Sequence, residues 1–344
     1  GREQLRLLDL PMPDPLASDF DAVPGTPGGV PPQLDLFARA PASSPSLRGK
    51  PLGPVSPTPV GQAERTLAAE LPATVRFGTS SWSFPGWCGL VYEGRHTEER
   101  LARDGLAAYA AHPLHRTVSL DRGYYAPIPL SAHQEYAAVV PDDFRFVVKC
   151  IEEILVARFP QHPRYGARAG KVNEHFLDPE IAIRDVVSPA MQGLGSKLGP
   201  IVIQFPPQNI LAMGGTRKTL DQLERFLAGL PKGPIYAVEF RNPELVSPAL
   251  GEVLRSTGAV PCLSVHPTLP RIGVQARDVG ALEFPALVCR WLLHAGLSYT
   301  SAVDRYEPFD QLVDEDPDTR NSIANAVFRF FEDNKAAYVV VNNK

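Results

Sequence analysis

The chain has 344 residues, of which 44% are hydrophobic and 21% charged, as is typical of a soluble globular protein with one large domain and extensions. Its net charge of -4 excludes polyanion binding through overall charge, so any contact with nucleic acid requires a local basic patch. No apolar run reaches the roughly 20 residues of a membrane helix, and no signal peptide is recognisable, so we expect a cytoplasmic protein without a membrane segment. The four cysteines form no Cys-x-x-Cys pair, which predicts reduced core thiols rather than disulfides or a zinc site.

Residues 1–61 form a tail rich in proline and small polar residues, which we expect to be a mobile linker. The tail contains one apolar island, made of Gln33, Leu34, Asp35, Leu36 and Phe37. Such an island is typical of a peptide that docks into a partner's pocket, and the alternative is that it packs onto the folded domain. Residues 62–73 follow as a lead-in segment with an amphipathic helix over 62–71.

Residues 74–344 alternate short β-branched or aromatic runs with amphipathic segments, which predicts an α/β domain of the closed (β/α)8 TIM-barrel type. The predicted strands are 75–79, 116–120, 144–150, 200–205, 235–241, 259–265, 286–292 and 337–342. The predicted helices are 97–111, 131–140, 180–193, 218–230, 244–257 and 319–335. The segment after the sixth strand is too irregular for a helix prediction. Because the sequence ends at the eighth strand, either it is truncated or the 62–71 helix takes the place of the closing helix.

The carboxyl ends of the strands form the working face of such a barrel, and three residues there are catalytic candidates. Glu239 is the best-placed general acid or base, and it shares a strand face with Arg241. Lys149 could clamp a phosphate, pair with Glu239 or form a Schiff base. Asp121 follows the second strand. The alternative is a buried ion pair that only closes the core. The candidates for ligand contacts on the same face are Arg241, Arg290, His266, His294, Trp82, Tyr124, Tyr125, Gln204 and Asn342.

A basic loop follows the third strand and includes Arg164 and Arg168, interleaved with Phe159 and Tyr165. Cations alternating with aromatic rings can hold phosphates and stack bases, whereas the alternative is a solvated charged loop. Asp121, His266 and His294 could ligate a metal only if the barrel brings them together, and no His-x-His or Asp-x-Asp spacing among them supports this. We therefore assign no metal ligands, and a divalent metal stays an open alternative.

Five segments of the barrel carry a family resemblance: 77–87, 142–149, 197–207, 236–241 and 342–343. Together they resemble the YecE-like family, catalogued as domain of unknown function 72, whose members are (β/α) barrels. Two departures stand out, because Ser119 replaces a carboxylate that many members carry and the usual acid after the sixth strand is replaced near His266. The loss of two acids speaks against a mechanism that needs several carboxylates around a metal.

The apolar island of the tail is similar to the bacterial sliding-clamp-binding peptide, whose pattern is Gln-Leu, then Ser or Asp, then Leu-Phe. The combined sequence therefore predicts a barrel that binds nucleic acid or a nucleotide-like anion while tethered to the DNA sliding clamp in replication or repair. The reaction expected of such an enzyme is phosphoester hydrolysis of the nuclease type. Two alternatives stay open: an enzyme for a sugar or sugar phosphate, and a non-catalytic adaptor.

Overall fold

The computed structural model describes residues 53–293 and 296–342, and within them eight parallel strands close into a barrel. Each strand pairs with the next along the chain, and the eighth pairs with the first from Val75 opposite Ala337 to Thr79 opposite Val341. The strands are β1 Val75–Thr79, β2 Thr117–Leu120, β3 Arg145–Lys149, β4 Leu198–Phe205, β5 Tyr236–Phe240, β6 Val260–Val265, β7 Ala286–Trp291 and β8 Ala336–Val341. The predicted TIM-type barrel and all eight predicted strands are confirmed.

Helices surround the barrel. They are α1 Gln62–Glu70, α2 Glu98–Asp104, α3 Leu106–Ala110, α4 Leu130–Ala138, α5 Pro179–Ala182, α6 Ser188–Leu194, α7 Gly215–Gly229, α8 Pro248–Thr257, α9 Ile272–Val279, α10 Tyr299–Tyr306 and α11 Pro317–Glu332. The predicted helix 97–111 is divided at Gly105, and a π-helical turn, Ile183–Val187, separates α5 from α6. The sequence prediction missed α9 and α10.

Side chains alternate along each strand between the barrel interior and the helix layer. Phe205 and Phe240 point outward and stack with ring centroids 4.5 Å apart, so their neighbours Gln204 and Glu239 point inward. The barrel is tight where β1 meets β2, because a Cβ built at Gly78 would lie 1.8 Å from the carbonyl oxygen of Thr117. This contact requires glycine. The alternation therefore places polar side chains inside the barrel near its carboxyl end.

The end of the predicted tail differs from expectation, because residues 55–58 pack onto the barrel domain. Val55 is buried, the backbone nitrogen of Thr58 donates to Val91, and Pro57 bridges to Tyr92. An extended proline-rich backbone can lie along another chain segment without needing its own amide donor at every residue. The rest of the tail, with Gln33 to Phe37, lies outside the described residues.

The end of α1 is joined to the amino end of the barrel by one arginine. Arg116, just before β2, donates to the carbonyls of Ala68, Leu71 and Pro72. These carbonyls lie at or just beyond the helix end, where backbone acceptors lack partners within the helix. In residues 53–293 and 296–342, none of the helices combines the length and the apolar character needed to cross a bilayer.

Candidate functional site

The polar residues predicted on separate strands meet inside the mouth of the barrel. Asp121 follows β2, Lys149 ends β3, Gln204 lies in β4, Glu239 in β5 and Arg290 in β7, and all five are buried. Because parallel strands bring their carboxyl ends to one face, residues far apart in the sequence form one cluster there. We call these five residues, together with Arg241, the mouth network.

Glu239 is completely buried and binds two arginines. Its Oε1 accepts a hydrogen bond from Arg241 Nε at 2.5 Å, and its Oε2 accepts one from Arg290 Nη1 at 2.8 Å. Burial alone would raise the pKa of Glu239, but Arg241 and Arg290 lower this pKa well below its usual range. A carboxylate held ionised in this way exchanges a proton poorly near neutral pH. Glu239 therefore acts in this structure as a charge partner rather than as a general acid or base.

Arg290 connects β7 to residues of three other strands or their ends. Its Nη1 donates to Gln204 Oε1 at 2.7 Å as well as to Glu239, and its Nη2 donates to Asp121 Oδ2 at 2.9 Å. The side chain of Arg290 is 1% exposed. Burial would lower the pKa of Arg290, but Asp121 and Glu239 raise it above its usual value. The structure thus makes Arg290 and Gln204 internal supports of the network, whereas both were predicted to contact a ligand.

Asp121 is held on two sides. Arg290 binds one carboxylate oxygen, and the hydroxyl of Ser119 donates to the other. Burial would raise the pKa of Asp121, but Arg290 and Lys149 lower it below its ordinary value. Ser119 therefore orients Asp121.

Lys149 differs from every other charge in the network. Its Nζ lies 4.4 Å from the centre of the Tyr124 ring, and within the described residues it has neither a hydrogen-bond nor an ion-pair partner. The residue is only 8% exposed. Burial lowers the pKa of Lys149 to about 8, although Asp121 opposes this shift. Lys149 is consequently the group of the network that can change protonation near neutral pH.

Arg241 is held by its Nε, which binds Glu239, while its terminal nitrogens bind no other described residue. The residue is 5% exposed. His266 lies close enough for Arg241 to affect it, since burial and then Arg241 lower the pKa of His266 to about 3. His266 is half-buried, and its Nδ1 hydrogen-bonds to Thr268. His266 is therefore a neutral residue at the mouth.

The charges of the mouth network do not cancel. Three cations, Lys149, Arg241 and Arg290, face two carboxylates, Asp121 and Glu239. The network therefore carries one excess positive charge whenever Lys149 is protonated. In a buried site with low dielectric, such a charge interacts strongly with an anion.

The predicted aromatic residues fall into two groups. Trp82 belongs to the core, because its indole nitrogen donates to the Leu101 carbonyl at 3.0 Å and its ring packs edge-on against Tyr136. Trp82 is thus mostly buried, and its predicted ligand contact stays a prediction. Tyr124 lies buried under Lys149, and Tyr125, which is 40% exposed, packs against it at right angles.

Two predicted ligand contacts remain near the end of the chain. Asn342 is half-buried, and its backbone nitrogen donates to the Trp291 carbonyl at 2.7 Å, which places it on the mouth side of β7 and β8. His294 lies outside the described residues, so its predicted contact stays a prediction.

Two arginines of the basic loop after β3 are paired with acids that the sequence analysis missed. Arg164 binds Glu152 and Arg168 binds Glu153, each at 2.6 Å. Glu152 and Glu153 follow β3 directly, and their adjacency to an arginine-rich loop was the available signal. The loop lines a cavity of about 360 Å³. The residues around this cavity are Tyr125, Pro127, Ile151, Glu152, Glu153, Phe159, Arg164, Tyr165, Arg168 and Asp185.

Metal ligands do not cluster in the part of the chain that the structure describes. No three His, Cys, Asp or Glu side chains there form a group that could hold a metal ion. Cys150, Cys262 and Cys289 are buried free thiols, as predicted, whereas Cys88 is an exposed free thiol. The Cys262 sulfur lies 3.7 Å from Glu239 Oε2. Both oxygens of Glu239 already accept from arginines, so the donor set of the mouth network does not fit a divalent metal.

Comparison with known proteins finds relatives among barrel proteins. The family model described as "Protein of unknown function DUF72" matches residues 76–344. A crystal structure of a DUF72 family protein from Enterococcus faecalis is similar at a TM-score of 0.51 and 20% identity, over 78% of this chain and 89% of that one. Another, from Thermotoga maritima, has a TM-score of 0.50 and 21% identity, over 78% and 92%. At these identities the two structures support the fold alone. No curated protein matches the chain.

Proposed function

The chain belongs to the family described as protein of unknown function DUF72, and we propose that its barrel binds a small phosphate-bearing anion at the carboxyl ends of the strands. The observation that carries the proposal is the Lys149 ammonium, which is buried without a counterion among the described residues. Burying an unpaired charge is costly, and proteins keep such groups mostly where a ligand or a reaction uses them.

Arg241 supports the same proposal. It offers terminal nitrogens that bind no described side chain, next to the excess charge of Lys149. Arginine and lysine both donate charge-assisted hydrogen bonds to phosphate oxygens, and these bonds are stronger in a desolvated site. Arg290 does not take part in this contact, because its Nη atoms are already bound to Gln204, Glu239 and Asp121. The anion would therefore lie between Lys149 and Arg241.

A nucleotide-like ligand fits the mouth better than a long nucleic-acid tract. Tyr125 presents an exposed ring beside Tyr124 on which a base could stack, a contact worth about 1–3 kcal/mol. A polymer would need several cations along its backbone, and the arginines Arg164 and Arg168 are paired with carboxylates. The proposed ligand is therefore a nucleotide or the end of a strand, with a sugar phosphate as the alternative.

If the protein hydrolyses phosphoesters, Lys149 rather than Glu239 would exchange the proton. Its pKa of about 8 lies near the working pH, whereas two arginines hold Glu239 ionised. An adaptor without turnover would use the same contacts to bind the anion. Product formation from a dinucleotide distinguishes the enzyme from the adaptor.

Calorimetric titration tests the anion site. We expect AMP to bind, adenosine to bind at least about tenfold more weakly, and Lys149→Met to weaken AMP binding by about 10–100-fold, because one charged hydrogen bond is worth about 1.5–3 kcal/mol. Ribose 5-phosphate in the same titration separates nucleotides from sugar phosphates. Lys218→Met, at an exposed lysine, is the matched control and should bind AMP like the unchanged protein. If the Lys149→Met protein bound AMP as tightly as the unchanged protein, the proposal would be wrong.

The apolar island of the tail favours a second function, and we propose that Gln33 to Phe37 dock the chain onto the bacterial DNA sliding clamp. A tether of this kind would raise the local concentration of the barrel near DNA, so that a weak contact at the mouth suffices. Titration of the full chain with the clamp tests the tether. We expect Leu36→Ala with Phe37→Ala to abolish binding and Leu16→Ala, elsewhere in the tail, to leave it intact. Equal binding of the clamp by the double variant and by Leu16→Ala would contradict the proposed tether.

A further inference from the structure

Lys149 has a property that anion binding alone does not require, namely a side-chain nitrogen without a direct polar partner. Its Nζ has no hydrogen bond or ion pair within the described residues. Lys149 is the last residue of β3 and faces inward at the mouth of the barrel. A lysine that served only as a fixed charge would gain stability from a direct carboxylate partner. Asp121 and Glu239 act on it electrostatically, yet their oxygens are bound to Ser119, Arg241 and Arg290.

The surroundings keep this amine reactive. An unbound, mostly desolvated lysine whose pKa is about 8 has a neutral fraction of about one tenth at pH 7, whereas an ordinary lysine has well below a thousandth. The neutral amine is the nucleophile in carbonyl chemistry, and desolvation next to other cations is a known way of activating it. Arg290 and Arg241 are the cations that act on Lys149 here.

We infer that Lys149 forms an imine with an aldehyde or ketone that carries a phosphate or carboxylate group held by Arg241. This inference rests on the proposed anion site and names a ligand class for it. The two contacts have separate roles: the terminal nitrogens of Arg241 bind the anionic group, and Nζ of Lys149 attacks the carbonyl carbon.

The step balances with no co-reactant besides a proton from water. The nitrogen lone pair forms a C–N bond while the carbonyl π electrons move to oxygen, and one proton passes from the nitrogen to that oxygen to give a carbinolamine. A second proton, taken from solvent water, lets the oxygen leave as water, and the nitrogen lone pair forms the C=N bond of the protonated imine. Nothing is oxidised or reduced, and hydrolysis reverses the step. The protonated imine carries the same charge as the lysine ammonium, so the Tyr124 ring and the nearby Asp121 and Glu239 stabilise it as they stabilise the ammonium.

Borohydride trapping on the unchanged protein tests the inference. The full chain is incubated at pH 7 with pyridoxal 5′-phosphate or, separately, with glyoxylate, and is then reduced with borohydride and mapped by peptide mass spectrometry. We expect Lys149 to be modified at least about tenfold faster than the exposed Lys218, because its neutral fraction is larger. Trapping by one probe alone supports the inference and identifies the anionic group. Modification of Lys149 no faster than Lys218 with both probes overturns it.

A variant separates this inference from the anion site. Arg241→Gln should slow trapping at Lys149 by about tenfold or more and leave trapping at Lys218 unchanged. Only the reaction at Lys149 depends on Arg241 binding the anionic group of the probe. AMP binding without trapping would overturn the imine and leave the anion site intact. Selective trapping of Lys149 by both probes without any affinity for AMP would support the imine and contradict the nucleotide ligand.

Discussion

Two regions of the molecule use arginine and glutamate differently. In the mouth network, Glu239 is inaccessible and two arginines share it, while Lys149 remains without a partner among the described residues. In the loop after β3, Arg164 and Arg168 each face one acid, and their side chains are 25% and 53% exposed. Cations exceed acids in the first region, whereas in the second region each of these two arginines has an acid of its own.

The difference shows why a basic sequence is not the same as a cationic site. The loop is the more basic of the two regions by sequence, yet Glu152 and Glu153 pair with two of its arginines. The mouth network draws its six residues from five strands or their ends, and its excess charge is visible only once these residues are brought together. Burial then increases the effect of that charge, because water screens it less.

The largest expected effect is on stability and follows from Glu239→Gln. The substitution leaves Arg241 and Arg290 buried without their shared charge, so we expect the free energy of unfolding to fall by about 3–5 kcal/mol. Glu283→Gln is the matched control, because its partner Arg255 is 41% exposed, and we expect a loss below about 1 kcal/mol. Urea denaturation measures both. A loss at Glu239 as small as that at Glu283 would contradict the coupling in the mouth network.

The contribution of Glu239 also depends on pH. Its pKa is lower in the folded chain than in the unfolded chain, so its stabilisation is present above the ordinary carboxyl pKa of about 4 and is lost as the pH falls further. The difference in stability between the unchanged protein and Glu239→Gln should therefore shrink below about pH 4.

Lys149→Met should raise stability while it weakens anion binding. The pKa of Lys149 is lower in the folded state, so the unfolded chain binds more protons between about pH 8 and pH 10. The unchanged protein should therefore gain up to about 3 kcal/mol across this range, and Lys149→Met should gain little, because it lacks the titrating amine. Denaturation at pH 7 and pH 10 measures the difference. Parallel pH profiles for the two proteins would show that Lys149 titrates like an exposed lysine.

A smaller effect is expected from the ring beneath Lys149. Tyr124→Leu removes the cation–π contact, which is worth about 1–2 kcal/mol at a desolvated site, so the pKa of Lys149 should fall by roughly one further unit. The pH dependence of trapping at Lys149 reports this pKa. Tyr125→Leu, at the exposed neighbouring ring, is the control and should leave the midpoint in place. An unchanged midpoint in Tyr124→Leu would show that the ring does not stabilise the Lys149 ammonium.

The sequence predicted the barrel because the strand periodicity is local. Every strand of the barrel coincides with an apolar run in the sequence. The mouth residues could be predicted because the carboxyl ends of all eight strands lie on the same face of such a barrel. Strand alternation also put Glu239 and Arg241 on one face, where their side chains form an ion pair. The short helix α9 was missed because it follows a loop without a clear apolar period.

The partners of the site residues could not be predicted in the same way. Residues as distant as Asp121 and Arg290 meet only through barrel closure, and neither residue's neighbours indicate the pairing. Trp82 was expected at the mouth because it follows β1, but the return of the chain through α2 covers it. A position after a strand therefore predicts the face of the barrel, whereas accessibility depends on the loops that fold over it.

The smallest expected effect tests the loop itself. Arg168→Gln breaks an ion pair in which Arg168 is 53% and Glu153 33% exposed, so stability should change by no more than about 1 kcal/mol. AMP binding should also remain within about twofold, because the positive charge that is lost was already matched by Glu153. Arg241→Gln is the comparison at the mouth, where the same change should weaken AMP binding at least about tenfold. If Arg168→Gln weakened AMP binding as much as Arg241→Gln, the ion pair with Glu153 would have to open for the ligand. The loop would then supply cations to the site despite its matched acids.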